Sequence, residues 1–119
     1  MASPKKQPRV RVLIGAATAL GPGKVDLLRA IDETGSIAAA ARRMGMSYRR
    51  AWLLVDHTNK CFREDLVVTA TGGQGGGGAE VTPVGREVLR RYREIEARAE
   101  SAVADQIADF AHLLVDPEG

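Results

Sequence analysis

The stretch "GSIAAAARRMGMSYRRAW", residues 35–52, decides the fold that this sequence predicts. Gly35 and Gly45 each end a run of helix-forming residues, and glycine suits that place because it adopts the left-handed conformation without strain. Ser36 and Ser47 come soon after them, at N-cap positions where a side-chain oxygen accepts a hydrogen bond from the next turn. We therefore predict a short second helix, a brief turn and a third helix, which is the order of a helix-turn-helix.

The neighbouring residues extend this pattern in both directions. Residues 9–16 alternate as a strand does, "LGPGK" at residues 20–24 is typical of a turn, and the apolar residues 25–31 predict the first helix. The four alanines of the second helix permit close packing against both neighbours, although alanine is also simply a good helix former. In the third helix, Ala51, Trp52 and Val55 predict an apolar face, and the arginines at positions 49 and 50 lie opposite.

A glycine-rich segment, "GGQGGGG" at residues 72–78, separates two short strands, "DLVVTAT" (65–71) and "AEVT" (79–82). A phosphate-binding loop of the P-loop type is disfavoured, because no Lys-Ser or Lys-Thr follows the glycines to open a helix. An interdomain linker is disfavoured because the downstream part is too small for a second folded domain. A hairpin directly after a helix-turn-helix is a wing, so the glycines are predicted to form its tip.

The last segment predicts one long helix, which begins at the cap Thr82 and at Pro83 in the first helical position. Its apolar residues recur at steps of three and four, and about 30 residues at 1.5 Å each span roughly 45 Å. We expect this stripe to pair with a second copy of the chain; the alternative is that the helix folds back over its own core. The predicted dimer contacts are Val88, Tyr92, Ile95, Ala99, Val103, Ile107, Phe110 and Leu114.

Charge is divided unevenly along the chain. Residues 1–63 hold twelve Lys and Arg against four acids, whereas residues 64–119 hold five arginines against eleven acids. A basic half of this kind favours a polyanionic partner, most commonly nucleic acid. The alternative is a surface with scattered arginines and no such partner.

Several function classes are disfavoured. No apolar run approaches the ~20 residues of a membrane span, and the basic N-terminus lacks the apolar segment of a signal peptide, so we expect a cytoplasmic protein that makes no membrane contact. The single cysteine, Cys61, excludes a disulfide framework and a thiolate metal site. His57 and His112 lie far apart, and no paired-carboxylate site is visible. We therefore expect no catalytic residues, no cofactor and no metal, and hence no enzyme.

Three segments, "LLRAIDETGSIAAAARRMGMSYRRAW", "TGGQGGGG" and "VTPVGREVLRRYREIEA", closely resemble the DNA-binding domain of the molybdate-responsive ModE regulators, a winged helix-turn-helix related to the LysR type. The resemblance covers residues 9–99. It implies dimeric binding to an inverted-repeat operator near genes of metal or molybdoenzyme metabolism. The full-length family carries C-terminal molybdate-binding modules and this chain stops at Gly119, so we do not expect it to bind molybdate.

The resemblance also assigns roles to residues. Ser36 opens the second helix, Ser47 to Arg50 begin the recognition helix, Trp52 lies in the core, and Gln74 stands where the wing tip often carries a basic residue. We expect Arg49 and Arg50 to read guanine, and the remaining basic residues to hold phosphates. The predicted DNA contacts are Ser36, Arg42, Arg43, Ser47, Tyr48, Arg49, Arg50, Lys60, Thr71, Gly72, Gly73, Gln74, Gly75 and Gly76.

These observations predict a mainly α fold with a small β-hairpin: a disordered basic tail (1–8), a winged helix-turn-helix (9–82) and a long C-terminal dimerisation helix (83–115). The predicted function is sequence-specific regulation of transcription by a homodimer on double-stranded DNA. The alternative is a dimeric protein-interaction module, a co-regulator for which DNA contact is secondary and non-specific.

Overall fold

The computed structural model describes residues 12–14, 18–70 and 78–115, which form four helices and four strands. In chain order the elements are β1 (Val12–Ile14), β2 (Thr18–Leu20), α1 (Pro22–Thr34), α2 (Ile37–Met44), α3 (Tyr48–Lys60), β3 (Val67–Ala70), β4 (Gly78–Val81) and α4 (Pro83–Ala111). The fold is a winged helix-turn-helix with a long C-terminal helix, as the sequence predicts. The predicted tail, residues 1–8, lies outside the described residues.

The strands form two antiparallel hairpins. In the wing, Val67 pairs with Val81 and Ala70 with Gly78. The other hairpin pairs β1 with β2. The sequence predicts only its first strand, because residues 20–24 have the pattern of a turn. In the structure β2 reaches Leu20, and α1 begins at Pro22, where a proline needs no intrahelical hydrogen-bond partner.

The helix boundaries around the turn are those that the sequence predicts. Gly35 and Gly45 end α1 and α2 in the left-handed conformation, with φ of 74° and 72°. The Gly35 N–H donates to the carbonyl of Ile31 at 2.7 Å, which satisfies an otherwise unpaired carboxyl-terminal carbonyl. The three-residue turn between Met44 and Tyr48 holds α2 and α3 close together, and this closeness requires small side chains between them.

The core lies where α1, α2, α3 and the wing meet. Ala40 and Ala51 are fully buried, so α2 and α3 approach each other across alanine side chains. Leu66 and Val81 bring the base of the wing into the same core. The packing role of the alanines is therefore realised, in addition to any contribution from helix propensity. The buried set is Leu20, Val25, Leu27, Leu28, Ala30, Ile31, Ile37, Ala40, Ala41, Ala51, Val55, Leu66, Val67, Ala79, Val81, Leu89 and Tyr92.

Helix α4 is continuous and begins at its predicted cap, because the Thr82 hydroxyl accepts a hydrogen bond from the Gly85 N–H at 3.0 Å. Its first turns pack on the core, and Tyr92 is only 2% exposed there. The prediction that Tyr92 contributes to a dimer surface is therefore wrong, because the chain's own core already covers its ring. Val88 is half-buried against the same core. Beyond these residues the apolar stripe of α4 is exposed to solvent, at Ile95, Val103, Ile107, Phe110 and Leu114.

Within the described part of the chain, no helix combines the length and the apolar character that crossing a lipid bilayer demands.

Candidate nucleic-acid interface

Helix α3 is positioned by one cap and one buried face. The Ser47 hydroxyl accepts a hydrogen bond from the Arg50 N–H at 3.1 Å, which fixes the start of the helix. Ala51, Val55 and Thr58 face the core, and the Thr58 hydroxyl is satisfied by the carbonyl of Leu54 at 2.7 Å. The opposite face of α3 is therefore presented to solvent along its whole length.

Arg49 and Arg50 lie in the first turn of this exposed face. Neither forms an ion pair with any residue in the described ranges, and the first turn of α3 contains no acid. The amino-terminal end of a helix carries a partial positive charge, so two arginines there cost stability, typically 0.3–1 kcal/mol each. Among the residues that the structure describes, no ion pair offsets this cost, and an external anion would do so.

The other basic residues predicted to contact phosphate are accommodated by the fold, either at the end of a helix or in an ion pair. Arg42 and Arg43 lie in the last turn of α2, where positive charge is favourable. Arg43 also pairs with Glu33 of α1, and Lys60 Nζ lies 3.1 Å from Asp56 Oδ2. Arg42 is exposed and makes no ion pair with the described residues. A structural reason therefore exists for each of these charges, in contrast to Arg49 and Arg50.

The polar residues predicted near DNA lie at the starts of α2 and α3. The Ser36 hydroxyl accepts a hydrogen bond from the Ala39 N–H at 3.0 Å and therefore acts as a helix cap. Tyr48 is 56% exposed in the first turn of α3. The predicted wing-tip contacts Thr71, Gly72, Gly73, Gln74, Gly75 and Gly76 lie outside the described residues.

The wing is fixed beside α3 by Asn59, a residue that the sequence analysis did not single out. Its amide donates to the Val67 carbonyl at 2.9 Å, and its Oδ1 accepts from the N–H groups of Leu66 and Val67 at 2.8 and 3.2 Å. On the other side of the wing, the Ala79 N–H donates to the Gly35 carbonyl at 2.9 Å. The sequence holds only a weak signal for the Asn59 contact, an amide in the last turn of a helix that precedes a strand.

Trp52 corrects a second prediction, since the resemblance assigns it to the core and its side chain is 44% exposed. Helical periodicity places Trp52 on the flank of the buried face, on the same side of α3 as Asn59 and therefore toward the wing. The core is closed without it by Ala51 and Val55. An aromatic side chain is thus left at the surface between α3 and β3.

Known proteins similar to this chain include transcriptional regulators. The molybdenum-pterin-binding protein MopB of Rhodobacter capsulatus is 41% identical over 107 residues, covering 89% of this chain and 38% of MopB. The DNA-binding transcriptional dual regulator ModE of Escherichia coli K12 is 35% identical over 88 residues, covering 74% of this chain and 33% of ModE. The chain therefore spans about a third of the length of these curated relatives. No protein-family model matches the chain.

Among solved structures, the crystal structure of a CbnR_DBD–DNA complex superposes with a TM-score of 0.55 at 22% identity. The match covers 72% of this chain and 93% of that chain. At this identity the likeness establishes the winged-helix fold that both share.

Proposed function

The chain is homologous to ModE-type transcriptional regulators through its winged helix-turn-helix, and from this premise we propose that it is a sequence-specific regulator of transcription. It binds double-stranded DNA as a homodimer on an inverted-repeat operator. Helix α3 enters the major groove, as recognition helices of this class do. The observation that carries the proposal is the pair of exposed arginines at the start of α3, which form no ion pair within the described part of the chain and whose charge an external anion would offset.

In this proposal Arg49 and Arg50 read bases. A guanidinium group bonds the O6 and N7 atoms of guanine at once, and the amino-terminal residues of a recognition helix are those that face base edges. Both side chains line a shallow cavity of about 280 Å³ together with Ser47, Leu53 and Leu54. The exposed position of both arginines, without a competing carboxylate, supports this role.

The residues around α3 hold the phosphate backbone. Arg42 and Lys60 supply charge, and the helix starts at Ser36 and Ser47 supply partial positive charge and N–H groups. Arg43 contributes only after it exchanges Glu33 for a phosphate, an exchange that costs little because exposed ion pairs contribute about 0–1 kcal/mol. Tyr48 is exposed beside them. The wing, including residues 71–76, lies along the minor groove or the backbone.

The dimer forms through the exposed stripe of α4. Ile95, Ala99, Val103, Ile107, Phe110 and Leu114 continue one side of the helix beyond the core, and the burial of this stripe requires a second copy. Two recognition helices related by a twofold axis contact half-sites one helical turn, about 34–36 Å, or a multiple of it apart. The operator is therefore expected to be an inverted repeat.

The wider biological role follows from the relatives. Their names connect them with molybdenum and with transcription, and we place the target genes in molybdenum-related or other metal-related metabolism. The chain acts without enzymatic activity and in the cytoplasm, where its DNA is found. Molybdate binding is not part of this proposal, because the matches cover about a third of the relatives' length.

The test selects duplexes from random DNA with the full chain and locates the protected bases by footprinting. On the selected duplex, Arg50→Ala should weaken binding by about 1–3 kcal/mol and relax the preference at one base position. Arg43→Ala should lower affinity equally on all duplexes. It should also reduce the slope of the logarithm of affinity against the logarithm of salt concentration by about one, the contribution of one phosphate contact. Binding is measured by fluorescence anisotropy of labelled DNA over a series of salt concentrations.

Arg98→Ala is the matched control, since it removes one positive charge from α4, far along the chain from α3. It should leave both specificity and the salt dependence close to wild type. If Arg50→Ala affects all sequences equally, Arg50 contacts phosphate only. If no duplex is enriched and no palindrome is protected, the chain is a protein-interaction module, and the proposal is wrong.

A further inference from the structure

The notch between α3 and β3 is a second surface beside the arginines. We define the notch as the groove of about 320 Å³ that Trp52 and Asn59 of α3 line on one side and Val68 and Thr69 of β3 line on the other. Trp52 is 44% exposed and Val68 43%. Two exposed apolar side chains on facing elements thus border one groove, and the core does not need either of them.

The two walls of the notch, α3 and β3, are held at a fixed distance from each other. Asn59 lies seven residues after Trp52, two helical turns along the same side of α3. Its three hydrogen bonds to Leu66 and Val67 attach the start of β3 to this side of the helix. The groove is therefore preformed in the free protein. Trp52 lies near the end of the groove that is closer to the amino terminus of α3.

The charges of the notch disfavour phosphate as its occupant. Asp56 and Asp65 are among its lining residues, and Lys60 pairs with Asp56 at 3.1 Å. A phosphate would approach at least one carboxylate, that of Asp65, which pairs with no cation among the described residues, whereas the base edges in the major groove carry no formal charge. Among these edges the thymine C5-methyl group is the apolar one, and apolar side chains contact it.

We infer that Trp52 contacts the C5-methyl group of a thymine in the major groove and so selects thymine beside the base that Arg49 reads. The inference rests on the proposed function, because it requires α3 to lie in the major groove. Trp52 follows Arg49 by three residues, which places the two side chains on adjacent parts of the exposed surface of α3. Arg49 supplies hydrogen bonds to one base pair, and Trp52 supplies apolar contact to the next.

The experiment replaces each thymine of the selected duplex, one at a time, by uracil, which removes the methyl group and keeps every hydrogen-bonding atom. At one thymine in each half-site, wild-type affinity should fall about fourfold, the amount expected when one buried methyl group is lost. In Trp52→Ala the same replacement should have no effect. Trp52→Phe, which keeps an aromatic ring, should retain part of the sensitivity.

Leu53→Ala is the comparison variant, since Leu53 is the adjacent residue and is also exposed, at 47%. Because Leu53 lines the cavity beside Arg49 and Arg50, the variant's overall affinity can change, and only the ratio of its affinities for the thymine and uracil duplexes is compared with wild type. It should keep the full sensitivity to uracil. Because Trp52 is the only tryptophan of the chain, its fluorescence reports directly on its surroundings, and the emission should change when wild type binds the thymine duplex.

The outcomes separate the two proposals. Specific binding that no uracil replacement weakens, or a fourfold loss that persists in Trp52→Ala, overturns the methyl contact and leaves the regulator proposal standing. A loss that disappears in Leu53→Ala assigns the contact to Leu53 instead. Absence of specific binding by the wild-type chain overturns both.

Discussion

The two ends of α4 have similar apolar patterns and opposite surroundings. Near its start Leu89 and Tyr92 are buried against the core, whereas from residue 101 to residue 115 every residue is exposed, Phe110 and Leu114 among them. We call residues 20–92 the head and residues 95–115 the tail. The head buries most of its apolar side chains within the chain, with Trp52, Leu53 and Val68 among the exceptions, whereas the large apolar side chains of the tail are exposed.

This difference supports the proposal that one helix serves two purposes, packing against the core and pairing with a second copy. The radius of gyration is 17.1 Å, against about 13.5 Å expected for a compact chain of this length, so the tail extends away from the head. Ion pairs such as Arg98–Glu94 at 3.1 Å support the helix locally. Such exposed pairs contribute little each, so a second copy of the tail is the natural source of the missing burial.

The largest effect is expected where the head holds α4. A Cβ added at Gly85 would lie 2.4 Å from the carbonyl oxygen of Leu66 and 2.7 Å from a methyl of Val81. That carbonyl is held by a hydrogen bond from the Thr82 N–H at 2.9 Å, so the clash cannot be relieved by a side-chain movement. Gly85→Ala should lower the free energy of unfolding by about 3 kcal/mol and the Tm by roughly 12 °C.

The control is Gly23→Ala in α1, where an added Cβ meets no atom within 4 Å. Alanine is the better helix former, so this variant should be as stable as wild type or more stable by up to about 1 kcal/mol. Both variants are compared by thermal unfolding at one protein concentration, because the proposed dimerisation would make Tm depend on concentration. Equal Tm values for Gly85→Ala and wild type would mean that α4 does not seat against Leu66.

Local chemistry could be predicted from the sequence, whereas the extent of burial could be predicted only in part. Ser47 and Thr82 cap their helices and Gly45 ends α2 because these properties belong to single residues and their near neighbours. Trp52 and Tyr92 were assigned wrongly because periodicity identifies an apolar side of a helix without showing how far its neighbours reach. Tyr92 is close enough to the core to be buried by it, whereas the apolar residues further along α4 lie beyond the core. Where this change occurs depends on how far the head extends along the helix.

The sequence does not predict the hydrogen bonds of Asn59 or the strand β2, for related reasons. Asn59 bonds backbone groups seven and eight residues away, at a separation that the α3–β3 loop sets. Strand β2 has only three residues, Thr18–Leu20, and is defined by its pairing with β1. A strand of three residues is too short to show an alternating pattern of apolar and polar residues, so it can be identified only by its pairing with β1.

The second effect tests the tail directly. Ile107→Asp places a charge in the middle of the exposed stripe and removes an isoleucine from each of two paired copies. Losing the burial of each costs about 1.5–3 kcal/mol, so the dimer dissociation constant should rise about 100-fold or more. Sedimentation velocity over a concentration series measures this change, and the Tm of the monomeric head should remain well defined.

Ala108→Asp adds the same charge one residue further, on the other side of the helix. It should change the dissociation constant by less than about threefold. If Ile107→Asp dimerises as tightly as wild type, the apolar stripe of the tail is not the interface between copies, and the comparison between head and tail loses its explanation.

The smallest effect is expected within the head, near the start of α4. Hydrogen bonds from Arg90 and Arg91 lower the pKa of Glu87 from 4.5 to about 2. A lowered pKa in the folded state means that the ionised carboxylate adds stability above pH 4.5, and that this contribution is lost as the pH falls from about 4.5 to about 2. Glu87→Gln should therefore lower the Tm slightly at pH 7, and the difference from wild type should vanish near pH 2. Because this carboxylate is exposed, the difference should be far smaller than that of Gly85→Ala. A difference that is constant from pH 7 to pH 2 would show that the two arginines stabilise α4 without help from the Glu87 charge.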